Sequence, residues 1–234
     1  TPTDLSLSVS NGTGSPSYQW YSNTSNSNSG GASIGSATSA TYTPVTSASG
    51  TKYYYCVVTK DGNGCDAATS DVASVTVDAT SAGGSIGGGT TVCSGGGGTL
   101  TLSGHTGSVT KWQSDDNSGF SSPSDIVNTS TSYAPSSLTT TTYYRAVVTN
   151  GTCSAANSSS ATMTVVSDPS ASQGTASQTL CQNGTPTDLS LSVSNGTGSV
   201  SYQWYSNTSN SNSGGASIGG ATSATYTPVT SASG

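Results

Sequence analysis

Glutamate is absent from this 234-residue chain, and bases are nearly so: Lys52, Lys60, Lys111 and Arg145 stand against ten aspartates. Charged residues make up 6% of the sequence, where a soluble domain ordinarily carries roughly 25%. With a formal net charge of −6, no basic patch exists to displace counterions from phosphate, which excludes a nucleic-acid partner. Good helix formers are thin and β-branched Thr and Val abundant, which argues against a helical fold. A single histidine, His105, and no cluster with metal-ligand spacing leave nothing from which to assemble a catalytic centre, so neither an enzyme nor a cofactor is expected. No apolar run approaches the ~20 residues of a membrane-crossing helix, and direct membrane insertion is not expected.

What the chain does contain is about 90 Ser and Thr residues, 30 Gly, 12 Tyr, 3 Trp and 5 Cys. Low hydrophobicity with so much Ser and Gly is also a signature of disorder. Against that, the aromatics and valines fall in alternating runs and the cysteines recur at matched places, as in folded β structure.

The sequence repeats itself. Residues 185–234 restate residues 1–50 with two differences, Val200 for Pro16 and Gly220 for Ser36, so the period is 184 residues. A weaker repeat lies inside it: Thr41–Ser70 parallels Ser132–Ser158, matching Tyr42 with Tyr133, Tyr54 with Tyr144, Val58 with Val148 and Cys65 with Cys153. Two module types alternate as A–B–A, with expected boundaries at 1–78, 79–166 and 167–234. The first A is expected to lack its opening strand and the second to stop before its last two, as in an excerpt from a longer array.

Within module A, Leu5, Leu7 and Val9 alternate, then YQWY, TYTP, KYYYCVVT and DVASVTV follow between Gly, Asn and Ser clusters. Short alternating strands at this spacing predict an all-β fold: tandem immunoglobulin-like β-sandwich modules in an extended array. Tyr54 stands two residues before Cys56, the spacing of a tyrosine corner, with Trp20 expected beneath it in the core. Tyr144 and Trp112 take those places in module B, and Trp204 in the second copy of A. Short linkers are expected at Asp78–Ala82 and Ser167–Ser172.

Leu7 occupies the place of the usual second-strand cysteine, so a different staple is expected. Cys93 lies just before the second strand of module B and Cys153 just after the sixth; pairing them closes a loop of about 60 residues, worth roughly 4 kcal/mol in the chain-entropy model. By the same logic Cys65 and Cys181 pair outside this stretch of chain, leaving Cys56 as a buried free thiol. Such staples imply an oxidising, extracellular setting.

VCSGGGGTLTLSG at Val92–Gly104, TGSVTKWQS, and TSYAPSSLTTTTYYRAVVTNGTCSAANS resemble the CHU_C-associated immunoglobulin-like domains of Bacteroidota surface proteins, and module A resembles a sister type. Cys93 and Cys153 match that family's cysteine pair. The resemblance implies modules of giant adhesins exported by type IX secretion, including those of gliding motility, located at the bacterial cell surface. It implies a non-catalytic stalk or spacer whose partners are neighbouring modules of the same chain, with other surface proteins or glycans beyond them.

Other chemistry is weaker. Asp61 and Asn63 in DGNG, and Asp115 and Asp116 in SDDNSG, could offer oxygens to Ca²⁺, but neither run continues to the bidentate acid of an EF-hand loop, and turn chemistry explains both. Tyr21, Tyr53 and Tyr55 could present a sugar-stacking face, making the module a glycan binder; cross-strand pairing is the plainer account. Assembly into an extracellular fibre is a further alternative. An intramolecular isopeptide bond from Lys52, Lys60 or Lys111 would need a buried acid partner, which nothing in the sequence indicates.

Overall fold

The computed structural model describes residues 2–61, 66–174 and 177–230, and every helix or strand element among them is a β-strand. The chain divides into two compact units, one of residues 1–83 with 104–110 and 147–157, the other of residues 84–103 with 111–146 and 158–234.

The first unit contains the first module A. Its strands are β1 (Leu5–Ser6), β2 (Pro16–Asn23), β3 (Ala32–Ser33), β4 (Thr41–Tyr42), β5 (Gly50–Lys60), β6 (Ala68–Thr69) and β7 (Ala73–Val77). β1 and β4 form one small sheet; the other runs β3-β2-β5-β6, with β7 also on β5. The β2–β5 ladder is antiparallel from Pro16↔Lys60 to Asn23↔Tyr53. Period-two alternation sends Trp20, Tyr54, Cys56 and Val58 inward, where Leu5, Leu7, Ile34, Tyr42 and Val75 pack on them. The rings interlock: Trp20 and Tyr42 centroids are 5.9 Å apart, Tyr42 and Tyr54 5.5 Å. The indole N–H, which would be costly to bury unbonded, donates to the Ser39 carbonyl at 2.9 Å.

Module B carries β8 (Ser85–Gly87), β9 (Thr90–Cys93), β10 (Leu100–Ser103), β11 (Ser108–Asp115), β12 (Ser124–Ile126), β13 (Ser132–Tyr133), β14 (Thr142–Thr149), β15 (Ala156–Asn157) and β16 (Ala161–Val166). Its sheets are ordered β13-β10-β8 and β12-β11-β14-β16-β9, with β15 also on β14. β9 runs parallel to β16, ending at Val166↔Cys93, while β10 with β13 and β8, β11 with β12, and β14 with β15 and β16 are antiparallel. One sheet built from the first, second and fifth main strands facing another that holds the third, sixth and seventh is an immunoglobulin-like sandwich. In the second unit Leu100, Trp112, Ala146 and Met163 are fully buried, each large apolar side chain contributing about 1.5–3 kcal/mol. The ring chain of module A recurs as Trp112–Tyr133 at 5.8 Å and Tyr133–Tyr144 at 5.7 Å, and Trp112 Nε1 donates to Ser130 O at 2.9 Å.

The third module holds β17 (Ser170–Gln173), β18 (Leu189–Ser194), β19 (Tyr205–Ser206), β20 (Ala216–Ser217) and β21 (Thr225–Tyr226). Sheets run β17-β18-β21 and β19-β20. The expected free linker Ser167–Ser172 is therefore only partly one: Ser170–Gln173 completes a sheet edge through Ser170↔Ser194 to Gln173↔Leu191.

Candidate functional site: the junction between modules

In the first unit the segment that leaves β7 is not a loose tether. Asp78 Oδ2 accepts from Thr152 N at 2.9 Å and Thr152 Oγ1 at 3.2 Å. Asn150 Nδ2 donates to the Ala79 carbonyl at 2.8 Å and Asn150 N to Ser81 Oγ at 2.9 Å. Ala82 and Thr106 exchange backbone bonds at 3.2 and 2.9 Å. Gly151 makes the approach feasible: its φ is 50°, and a Cβ there would lie 2.0 Å from Asp78 Oδ2. Net contributions of about 0.5–1.5 kcal/mol per hydrogen bond, and more for those to the Asp78 carboxylate, are enough to hold five residues in one conformation.

The second unit contains the next junction. Ser94 N donates to Val166 O at 3.0 Å, Gly196 N to Ser167 O at 2.9 Å, and a cavity of about 430 Å³ lies between Cys93 and third-module residues including Pro169, Val193, Ser199 and Val200.

The expected Cys93–Cys153 pair is not formed; both thiols are free, as is the exposed Cys181. Cys93 ends β9 opposite Val166, where the chain leaves module B. Cys153 Sγ lies 3.3 Å from Ala79 O and 3.8 Å from Asp78 O, where the chain enters it. Cys56 is buried and unpaired, its backbone N–H bonded to Ser70 Oγ at 3.0 Å, and burial pushes its thiol pKa up. Cys65 and Asn63 lie outside the described residues.

The carboxylates considered for calcium are occupied by the backbone. Asp61 Oδ1 accepts from Ser15 N at 2.7 Å. Asp115, 7% exposed, accepts from Asn117 N and Ser122 N at 3.0 Å each; these bonds, Asn117 first, hold its carboxyl below the usual aspartate range. Asp116 is exposed beside it. Among the described residues no three His, Cys, Asp or Glu side chains gather as a metal site. His105 Nδ1 is buried without a hydrogen-bond partner. Lys60 Nζ caps the Asn11 and Gly12 carbonyls, and Lys111 Nζ pairs with Asp125 Oδ2 at 2.7 Å.

The outward faces of A and B differ. Tyr21 and Tyr55 stack on each other at 5.1 Å with planes 5° apart, and Tyr55 is buried with its hydroxyl accepting from Gly31 N at 3.0 Å. Those two rings cover one face of each other. In module B, Arg145 Nε donates to Gln113 Oε1 at 2.8 Å, Gln113 Nε2 to Asp125 Oδ1 at 2.7 Å, and the guanidinium sits 4.3 Å over Phe120. Asp78–Ala82 is expected from sequence only as a short linker, and no contact of Asp78, Ser81, Asn150 or Gly151 is foreseen. The available signal was an aspartate directly after a last strand and an Asn-Gly turn ahead of Cys153.

Strand order and junction together define a tandem array of immunoglobulin-like β modules. The chain belongs to the family described as Domain of unknown function (DUF8696), whose model matches three times, at residues 1–79, 82–167 and 170–233. Among solved structures, the amphioxus IgVJ-C2 molecule aligns over 69% of this chain and 95% of its own at 13% identity and a TM-score of 0.34. No curated protein matches the sequence.

Proposed function

We propose that this chain is a stretch of non-catalytic stalk from a long bacterial cell-surface adhesin, in which A and B modules serve as spacers. The observation that carries the reading is the docked linker: Asp78, Ala79, Ser81 and Ala82 are each hydrogen-bonded to module B residues, which suits a chain that must hold its reach. The resemblance of the Val92–Gly104 and Thr131–Ser158 motifs to adhesin modules supports the surface location. A Ser/Thr coat with few charges keeps such a stalk polar at little cost in side-chain entropy.

Small-angle scattering on chains with one, two and three copies of the 184-residue period tests this. The maximum dimension should rise in proportion to copy number, and Gly151→Ala, by driving a Cβ into Asp78, should flatten that rise. A dimension that stops growing with added copies overturns the spacer reading. Specific capture of isolated modules on a glycan array would also overturn it, in favour of recognition.

A further inference from the structure

We propose that a cysteine bond crosses each A–B junction: the Cys181-type thiol at the exit end of module A pairs with the Cys153 loop thiol at the entrance end of module B. Three observations place the thiols there. Cys93 and Cys181 occupy the same turn, since Gly96 N donates to Cys93 O at 2.9 Å and Gly184 N to Cys181 O at 2.8 Å. Each turn is then tied to its own module, Gly95 N to Leu138 O at 2.7 Å and Asn183 N to Thr230 O at 3.2 Å.

By the 184-residue period Thr230 corresponds to Thr46 of the first module, four residues before Gly50. Gly50 pairs with Val77, the last residue of β7. The Cys181 turn of a module A therefore belongs to the end from which Asp78 departs. Cys153, on the loop of module B, lies against the carbonyls of Asp78 and Ala79, one and two residues beyond Val77. Both thiols therefore lie at the end of module A from which Asp78 departs, as a bridge whose Cα atoms must approach to about 4.4–6.8 Å requires.

At the A–B junction Cys153 therefore takes the Cys181-type residue of the A before it. Cys56, buried in the sheet, has no part.

Each bond forms as two thiols surrender two protons and two electrons to a disulfide oxidant, which leaves as two thiols. The bond rests on the cell-surface reading only for its oxidising compartment. Oxidation of purified protein therefore tests the pairing apart from the location.

Fusing a copy of residues 167–184 ahead of Thr1 supplies the first module with its own Cys181-type residue. After incubation with oxidised glutathione and alkylation, peptide mapping should find Cys153 joined to that added cysteine, with Cys93 alkylated. Cys93→Ser should leave the link intact. In the unextended chain Cys93 and Cys153 should both be alkylated. A Cys93–Cys153 peptide from either chain, or a Cys153 that stays free in the folded extended chain, overturns the proposal.

Discussion

Residues 1–50 and 185–234 differ at two positions, yet they do not take the same structure. Trp20 is 3% exposed, whereas Trp204 is only half-buried; Tyr21 stacks on Tyr55, whereas Tyr205 is 62% exposed. β2 spans eight residues, and its copy keeps only Tyr205–Ser206 as β19. The local bonds nonetheless coincide: both indoles donate at 2.9 Å to the carbonyl nineteen residues on, and Gln19 and Gln203 bond their surroundings identically. What differs is the strand alongside. β5 covers the first copy, and no described strand takes its place in the third module. The reverse holds at the other edge, where Leu5–Ser6 is a two-residue strand but Leu189–Ser194 runs six because β17 pairs with it. A β segment carries a capacity to extend; its neighbour decides how much of that capacity is used.

The sharpest way to break this comparison is to cut the same side chain out of both copies. Trp20→Ala removes a fully packed indole and should cost about 3–5 kcal/mol. Trp204→Ala, on a side chain only partly buried, should cost less, about 1 kcal/mol. Because three modules do not unfold as one transition, the readout is hydrogen-exchange protection of peptides local to each copy. Equal losses at the two sites would mean that β5 contributes little to the first core.

Module B carries an acid response of its own. Asp115 is held below the usual aspartate range by the Asn117 and Ser122 amides, and Asp125 by its bond to Lys111 and then by Gln113. A depressed folded pKa gives stability that is fully present above the unfolded value and lost as pH falls through the folded one. Asp115→Asn should therefore lower the melting temperature of module B at neutral pH, and the gap from the parent chain should close on acidification below the aspartate range. A gap that stays constant below that range would show that the loop depends on shape and not on the carboxylate charge.

Much of this was legible in the sequence. The 184-residue period, the Trp–Tyr–Tyr chain and the main strands all follow from spacing, because Trp20, Tyr42 and Tyr54 recur as Trp112, Tyr133 and Tyr144 in the same order. Strand lengths were not legible, since Leu5, Leu7 and Val9 alternate as well as Leu189, Leu191 and Val193 and only the second set has β17 beside it. Nor was the end of the sandwich at which each cysteine lies. Cys93 and Cys153 bracket the strands of one module along the chain, but a strand carries the chain from one end to the other, so sequence order alone does not place thiols together. The Asp78–Thr152 contact spans 74 residues and had no local pattern beyond its turn residues.

The smallest effect comes from one of the two differences between the copies, and it isolates what is purely local. Ser36 sits at φ 63° and Gly220 at φ 75°, the left-handed region in which a Cβ costs about 1–2 kcal/mol. Both turns are otherwise the same, with Thr38 N on Ser36 O and Thr222 N on Gly220 O at 3.0 Å. No atom lies within 4 Å of the Cβ that Gly220 would gain, so the penalty there is one of backbone conformation and not of collision. Glycine's greater freedom in the unfolded chain offsets about 0.5–1 kcal/mol of the gain, so Ser36→Gly should stabilise by about 0.5 kcal/mol and Gly220→Ser should destabilise by as much. Exchange protection at Thr38 and Thr222 in the two swapped chains reads both changes. If the turn is independent of β5, the two shifts are equal and opposite despite the different burial of the modules; a larger shift in the first copy would tie the turn to the strand that covers Trp20.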